Sequence, residues 1–152
     1  MRLDLIRTAC RMTTLAAALL PLGCGDLEAY PGPEYAFQAT FGAFPSSSVR
    51  NLQGEGRAFR DSGHVYLKFE VPQGTLQAML GGGFTPLSAE AFAKETTGAA
   101  IYGPRPGWWM PLPGSTVLLE SKRFHPTFST GEAFAAYEPA TSTAYLYWSG
   151  MD

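Results

Sequence analysis

Three residue types that hydrolases use occur close together in the middle of the chain. Asp61 and Ser62 lie in the segment Arg60-Asp-Ser-Gly63, and His64 follows directly. A catalytic triad needs contacts in series from serine to histidine to carboxylate. Within a tight turn that leads into a strand, three side chains at this spacing diverge, and the sequence lacks a glycine-flanked nucleophile elbow. The spacing therefore favours a turn, and we expect no catalytic residues here.

The residue types that bind metals and phosphates are sparse. The chain has two histidines, His64 and His125, and two cysteines, Cys10 and Cys24, without HxH, HxxxH or CxxC spacing. A zinc site needs four ligands, or three and a water, so we expect no metal site and no cofactor. His125 is interpreted as a surface or loop-packing residue. The run Gly81–Gly83 lacks the Lys-Ser/Thr of a phosphate-binding loop and predicts the end of a helix.

Two adjacent tryptophans, Trp108 and Trp109, are the strongest candidates for binding. They lie between Gly103 and Gly114 in a segment with four prolines, which predicts a loop. Paired indoles on a stiff loop can stack on sugar rings or anchor a protein interface, and Arg105 could add a polar contact. The alternative is that the indoles pin the loop to the core, and we expect this for at least one of them.

The first 23 residues have the layout of an export signal. Met12–Leu22 is an apolar run of 11 residues that ends before Gly23 and Cys24, and it follows three arginines: Arg2, Arg7 and Arg11. A membrane-spanning helix needs about 20 apolar residues, so this run is too short for a permanent span. Pro21 would also interrupt a helix near its end.

The segment Leu20-Pro-Leu-Gly-Cys24 resembles a bacterial lipoprotein signal peptide. Gly23 and Cys24 fit the family pattern, whereas Leu22 is larger than the residue usual there and Pro21 stands where leucine is usual. The resemblance implies that the Cys24 thiol receives a diacylglycerol, that cleavage precedes Cys24, and that the new amino group is acylated. Two or three acyl chains would anchor the protein stably in a membrane.

The cysteine count supports this interpretation. Cys10 lies in the segment that would be removed, so Cys24 would have no intramolecular disulfide partner. Gly25 is not the aspartate that the resemblance associates with inner-membrane retention. We therefore expect a cell-envelope protein that is lipid-anchored in the outer membrane.

Composition limits the remaining function classes. Residues 24–152 contain all 20 aromatic residues, 8 of the 11 Lys/Arg and 12 of the 13 Asp/Glu. This aromatic content suits one domain with a real core and no disulfide. The net charge of about −4, scattered along the chain, argues against nucleic-acid binding, which needs an electropositive face. It equally gives no support for electrostatic binding to anionic lipid.

Several segments have periodic patterns. Val65, Leu67, Phe69 and Val71 alternate with polar residues and predict a strand. Ser88 is a candidate helix N-cap, with Leu87 and Phe92 in the positions of a hydrophobic staple. We predict strands at 35–41, 64–71, 115–120, 133–137 and 143–149, and helices at 75–80 and 88–97. The segment 49–59, with Gly54 and Gly56, could be a loop or a bulged edge strand.

This order of elements predicts an α+β fold, with an antiparallel sheet of about five strands and two short helices packed on one face. The tyrosines on the opposite face of the last strand could face solvent or form a binding surface. The predicted organisation is a signal peptide at 1–23, a lipidated N-terminus and linker at 24–34, and a single domain at 35–152. The linker could span at most about 35 Å.

Three hypotheses about function follow. The first is a non-enzymatic envelope lipoprotein that binds a protein partner or acts as a scaffold. The second is a lipoprotein that binds a small molecule or saccharide through Trp108, Trp109 and Arg105. The third, a small hydrolase using His64 or His125, is the least supported. The last third of the chain weakly resembles small exported bacterial domains of unknown function, which implies no activity.

Overall fold

The computed structural model describes residues 28–98, 102–111, 116–124 and 130–151. The strands are β1 (Glu28–Ala29), β2 (Arg50–Phe59), β3 (Ser62–Glu70), β4 (Thr85–Pro86), β5 (Val117–Ser121), β6 (Thr130–Glu138) and β7 (Thr143–Met151). The helices are α1 (Pro33–Phe41), α2 (Gln73–Leu80) and α3 (Ala89–Glu95). None of the helices in these ranges is long and apolar enough to cross a membrane.

The strands form one antiparallel sheet in the order β1-β2-β3-β7-β6-β5-β4. The α+β class with an antiparallel sheet is thus confirmed in outline. The expected number of about five strands is wrong, because the described residues contribute seven. β1 and β4 have only two residues each, too few to produce a readable alternation, and they occupy the two edges.

The centre of the sheet is the pairing of β3 with β7, in which Leu67 lies opposite Leu146 and Val65 opposite Trp148. Alternate residues of both strands therefore share one face, which we call the first face. These residues are fully buried together with Leu76 and Leu80 of α2 and with Ala36 and Phe37 of α1. The predicted alternation of 64–71 is confirmed by this packing.

The other face of the sheet, which we call the second face, is also covered. Tyr66, Tyr145 and Tyr147 are buried there beside Phe92 of α3 and Trp109. The prediction that both short helices pack on one face is therefore wrong, since α2 lies on the first face and α3 on the second. The physical reason is that the second face presents large aromatic rings, which need cover as much as the aliphatic face does.

The segment 35–41, predicted as a strand, forms α1 instead. Pro33 opens the helix, and Gly42 ends it in a left-handed conformation with φ 73°, donating its N–H to the Gln38 carbonyl. Its buried residues are Ala36, Phe37 and Thr40. The latter two lie one and four positions after Ala36, which places all three on the same side of a helix. Alternation was misleading because the intervening Ala36, Gln38 and Thr40 fit either a strand or a helix.

Part of the segment predicted as a linker is folded. Glu28 and Ala29 pair with Ala58 and Arg57 of β2, and the Tyr30 amide donates to the Gly56 carbonyl. The backbone of 28–30 is held because β2 has free edge positions there. The folded part of the chain thus includes residues from Glu28 onward that were placed in the linker, whereas residues 24–27 lie outside the described ranges.

The segment 49–59 forms the bulged strand β2, with an irregular register between Arg50 and Gln53. The expected edge position is wrong, because β1 pairs with the other side of β2. Its glycines allow close approach from the N-terminal segment. A methyl group at Gly54 would lie 3.0 Å from the Pro33 Cα, and one at Gly56 would lie 2.7 Å from the His64 carbonyl oxygen. Glycine is required at Gly56 by lack of space.

The remaining predicted elements are confirmed within a few residues. The Ser88 hydroxyl caps α3 by accepting the Ala91 N–H at 3.2 Å. α2 begins after Pro72 and ends before Gly81, as the glycine run predicts. β6 and β7 form the predicted terminal hairpin, in which Glu138 lies opposite Thr143.

Candidate functional site

Trp109 is a core residue of the second face. Its side chain is 1% exposed, and its ring lies 5.0 Å from the Tyr66 ring and 5.6 Å from the Tyr145 ring in edge-to-face geometry. Its backbone N–H closes a turn by donating to the Pro106 carbonyl. The expectation that at least one tryptophan pins the loop to the core is confirmed.

Trp108 is half-buried and ties the same segment to β2. Its Nε1 donates to the Glu55 Oε1 at 3.1 Å. The Trp108 and Trp109 rings lie 6.5 Å apart at an angle of 65°. The two indoles therefore do not form the exposed side-by-side platform on which a sugar ring would stack.

Trp109 lines a cleft between α3 and the segment 102–111, which we call the α3 cleft. Its other walls include Phe92 of α3, Thr96 just after α3, Leu118 of β5, and Arg105 and Met110 of the segment, and its volume is about 330 Å³. Met110 is 67% exposed at this cleft. The α3 cleft is thus an apolar depression with a single arginine among these named residues.

Arg105 is exposed and contributes the positive charge of the α3 cleft. Its charge acts on Tyr66 beneath it, opposing the rise in the Tyr66 pKa that burial and the neighbouring Tyr147 produce. Tyr66 remains neutral and donates its hydroxyl to the Thr96 carbonyl at 3.2 Å. Tyr66 therefore fastens the end of α3, and Arg105 is the charged group available to a ligand.

Asp61, Ser62 and His64 do not form a triad. The Ser62 hydroxyl donates to the Phe59 carbonyl at 3.0 Å, which closes the β2–β3 turn. Asp61 is exposed, whereas His64 is 6% exposed on the second face, with its ring 4.4 Å from the Tyr102 ring. The arrangement stabilises a turn and provides no serine–histidine contact.

His64 is held in the neutral form. Burial lowers its pKa to about 4, and the positive charge of Arg57 acts in the same direction. Its Nδ1 atom is buried without a hydrogen-bond partner among the described residues. At neutral pH this imidazole is an uncharged packing residue.

No protein-family model, curated protein or solved structure matches this chain. The functional argument therefore depends on the geometry of the site. Across the described ranges, no group of three or more His, Cys, Asp and Glu side chains is arranged to hold a metal ion. His125 and Cys24 lie outside those ranges.

A second depression lies at the end of β6 and β7, lined by Tyr102, Tyr147, Glu132 and Lys122, with a volume of about 410 Å³. The positive charge of Lys122 is balanced there by ion pairs with Glu132 at 3.0 Å and with Glu120 at 3.3 Å. This depression is wide and polar, and its cation is already paired. The α3 cleft is the better candidate for recognition, because apolar walls and an available arginine lie together.

Sequence reasoning identified Trp108, Trp109 and Arg105 but missed three walls of the α3 cleft. Met110 and Leu118 carried no signal of their own, since one is an apolar residue in an irregular segment and the other an apolar residue in a short strand. Phe92 was recognised only as a helix-staple residue, and it does pack with Leu87 in the second-face core. Its second role, as a wall of the cleft, depends on the position of the segment 102–111.

Proposed function

We propose that this protein is an envelope lipoprotein, anchored through Cys24, whose domain is a non-enzymatic binding module. Its α3 cleft accepts an apolar side chain from an acidic segment of a partner protein. The observation that carries this proposal is the apolar cleft formed by Phe92, Trp109 and Met110, with Arg105 beside it. The outer membrane is the proposed location.

The chemistry of the walls indicates the kind of occupant. Aromatic residues and methionine are enriched where proteins bind each other, and apolar pockets take the anchoring side chains of such interfaces. Arg105 can hold a carboxylate by two hydrogen bonds, because its guanidinium presents paired donors. An apolar side chain next to an acidic residue or a terminal carboxylate satisfies both features.

The position of Asp61, Ser62 and His64 supports a non-enzymatic role. The Ser62 hydroxyl is engaged with backbone, and the neutral His64 imidazole is buried beneath Tyr102. A general base must reach the proton that it abstracts. His64 has no such contact with the Ser62 hydroxyl, which is bonded to the Phe59 carbonyl instead. The proposal assigns them to stability.

The alternative function is the binding of a small apolar acid in the same cleft. The volume of about 330 Å³ falls at the small end of the range for small-molecule pockets, roughly 300–1,000 Å³. Native mass spectrometry of protein purified from its envelope distinguishes the two functions. A retained small molecule favours the alternative, whereas an empty cleft favours a protein partner.

The cleft can be tested with 1-anilinonaphthalene-8-sulfonate, a fluorescent apolar anion. We expect saturable binding to the mature chain, weakened about tenfold by Arg105→Gln, because a hydrogen bond to a charged group is worth roughly 1.5–3 kcal/mol. Arg60→Gln is the matched control, since Arg60 is exposed at the β2–β3 turn, outside the cleft. Equal affinity of the two variants, or no saturable binding, would contradict the proposal.

A further inference from the structure

The segment from Tyr35 to Val49 has no charged residue and presents two exposed aromatic rings. Tyr35 is 49% exposed and Phe44 is 54% exposed. Their rings touch edge to face at 5.8 Å. We call this pair the aromatic patch.

The fold fixes the aromatic patch on the outside of the first face. α1 buries Ala36 and Phe37 against the sheet, which holds the helix in one orientation. Gly42, in its left-handed conformation, then turns the chain, and Phe44 lies against Tyr35 at the start of α1. The patch is a preformed surface on α1 and its following turn.

The aromatic patch lies close to the proposed anchor along the chain. Glu28 is already paired in the sheet, so only four residue steps separate it from Cys24, a span of at most about 14 Å. Tyr35 is seven residues beyond Glu28, at most about 25 Å of fully extended chain. In a domain held at Cys24, the aromatic patch is therefore within reach of the bilayer surface.

The chemistry of the segment suits the interface of a lipid bilayer. Tyrosine and other aromatic side chains favour the headgroup level, where an apolar ring and a polar group are both accommodated. No charge between Tyr35 and Val49 must be desolvated, and exposed Ser46 and Ser47 follow Phe44 with hydroxyls suited to the headgroups. Electrostatic attraction is not needed, which fits zwitterionic lipid and the negative net charge.

We infer that the aromatic patch of Tyr35 and Phe44 inserts into the bilayer surface and gives the anchored domain a fixed orientation. This inference rests on the anchor in the proposed function. Because α1 covers the first face and α3 the second, the patch and the α3 cleft lie on opposite sides of the sheet. The α3 cleft is then directed away from the membrane, where a partner can reach it.

The test uses the mature chain, residues 24–152, with Cys24→Ser and an N-terminal histidine tag bound to nickel-chelating lipid. The vesicles are otherwise phosphatidylethanolamine and phosphatidylcholine. An introduced Ala43→Cys provides a single thiol, because Cys24 is the only cysteine of the mature chain, and carries a nitrobenzoxadiazole label. Lys94→Cys places the same label on α3, on the other side of the sheet.

On tethering, the label at position 43 is expected to shift its emission to the blue, and the label at position 94 is not. The double variant Tyr35→Ser/Phe44→Ser should lose the shift, and Phe44→Ser alone should reduce it. Met151→Ser, which removes an exposed apolar residue outside the patch, should retain it. Circular dichroism checks that each variant is folded.

Equal emission from the two labels, or a shift that survives the double variant, would overturn the inference. The tag replaces the acyl chains in this experiment, so its outcome does not depend on whether Cys24 is acylated. A protein that is never acylated would fail the proposed function and could still insert its patch. An acylated protein with an unshifted label would keep the anchor and lose the fixed orientation.

Discussion

His64 is kept neutral by the aromatic residues that cover the second face. Its ring packs 4.4 Å from Tyr102 and 5.6 Å from Tyr66. Protonation would place a charge among these rings beside the like charge of Arg57, which is why the folded-state pKa falls to about 4 from an ordinary value of 6.5. The residue therefore links stability to pH.

We expect the domain to lose stability as the pH falls from about 6.5 to about 4. In that window the unfolded chain binds a proton at His64 and the folded chain does not, so acidification favours unfolding. The loss attributable to His64 is on the order of 3 kcal/mol, because its pKa falls from 6.5 to about 4 and each pKa unit is worth about 1.4 kcal/mol. Stability above pH 7 is unaffected by this group.

Urea unfolding of the wild type and of His64→Gln across pH 4–8 measures the effect. The difference between the two free energies of unfolding should be constant above pH 7 and should change in favour of the variant below about pH 6.5. The carboxylates titrate in both proteins and cancel in the difference. A difference that does not vary with pH would show that His64 does not couple folding to protons.

The chemistry around His64 could be predicted from sequence only in part. The turn at Asp61 and Ser62 followed from the local residues. The burial of His64 did not, because its cover comes from Tyr102, a residue 38 positions later in a segment without periodicity. At least one of Trp108 and Trp109 was correctly expected in the core, since a large ring in a proline-rich loop has few other ways to leave water, but the local sequence does not distinguish them and Trp109 is the buried one.

At the scale of elements, β2 packs closely against β3 and against the N-terminal segment. Gly56 has no space for a side chain, because a methyl group there would meet the His64 carbonyl and Val65 at 2.7 Å. Gly74, near the start of α2, has open space around its Cα. A side chain is therefore excluded at Gly56 and can be accommodated at Gly74.

We predict that Gly56→Ala destabilises the domain by about 1–3 kcal/mol or more, as overpacking against fixed backbone does. Gly74→Ala, the matched control, should stabilise it by about 0.5–1 kcal/mol through helix propensity. Thermal unfolding of both variants, compared with the wild type, shows whether each substitution lowers or raises stability. Destabilisation by Gly74→Ala, or a neutral Gly56→Ala, would contradict the close packing of β2.

The elements divide into those with a local signal and those without one. α3 was predictable because Ser88 and the Leu87–Phe92 staple mark its start. α1 was mistaken for a strand because Tyr35, Phe37 and Phe41 alternate with small residues, and its helical character depends on burial against β2 and β3. β1 and β4 are strands because they pair with longer strands. Their two-residue sequences are too short to predict that pairing.

At the scale of the whole molecule, the sheet separates two surfaces. The first face carries α1 with the aromatic patch of Tyr35 and Phe44, and the second face carries α3 with the α3 cleft. The start of the sheet at Glu28 lies four residues from Cys24. Under the proposals above, the anchor, the membrane contact and the partner site would lie in series, from the bilayer outward.

This arrangement could not be predicted from the pattern of elements. The sequence placed both short helices on one face, because it offered no way to know that the tyrosines of β7 would be covered. The two faces differ because α3 and the segment 102–111 cover Tyr66, Tyr145 and Tyr147. The signal for the anchor, in contrast, was local to the first 25 residues.

The central claim, that the protein is held at the membrane through Cys24, is tested most directly by the mass of its N-terminal peptide. Protein purified from the envelope of the producing bacterium should begin at Cys24 and carry a diacylglycerol with a further acyl group. A Cys24→Ser variant should remain as the uncleaved precursor. A mature N-terminus at another residue, or an unmodified thiol at Cys24, would contradict the account.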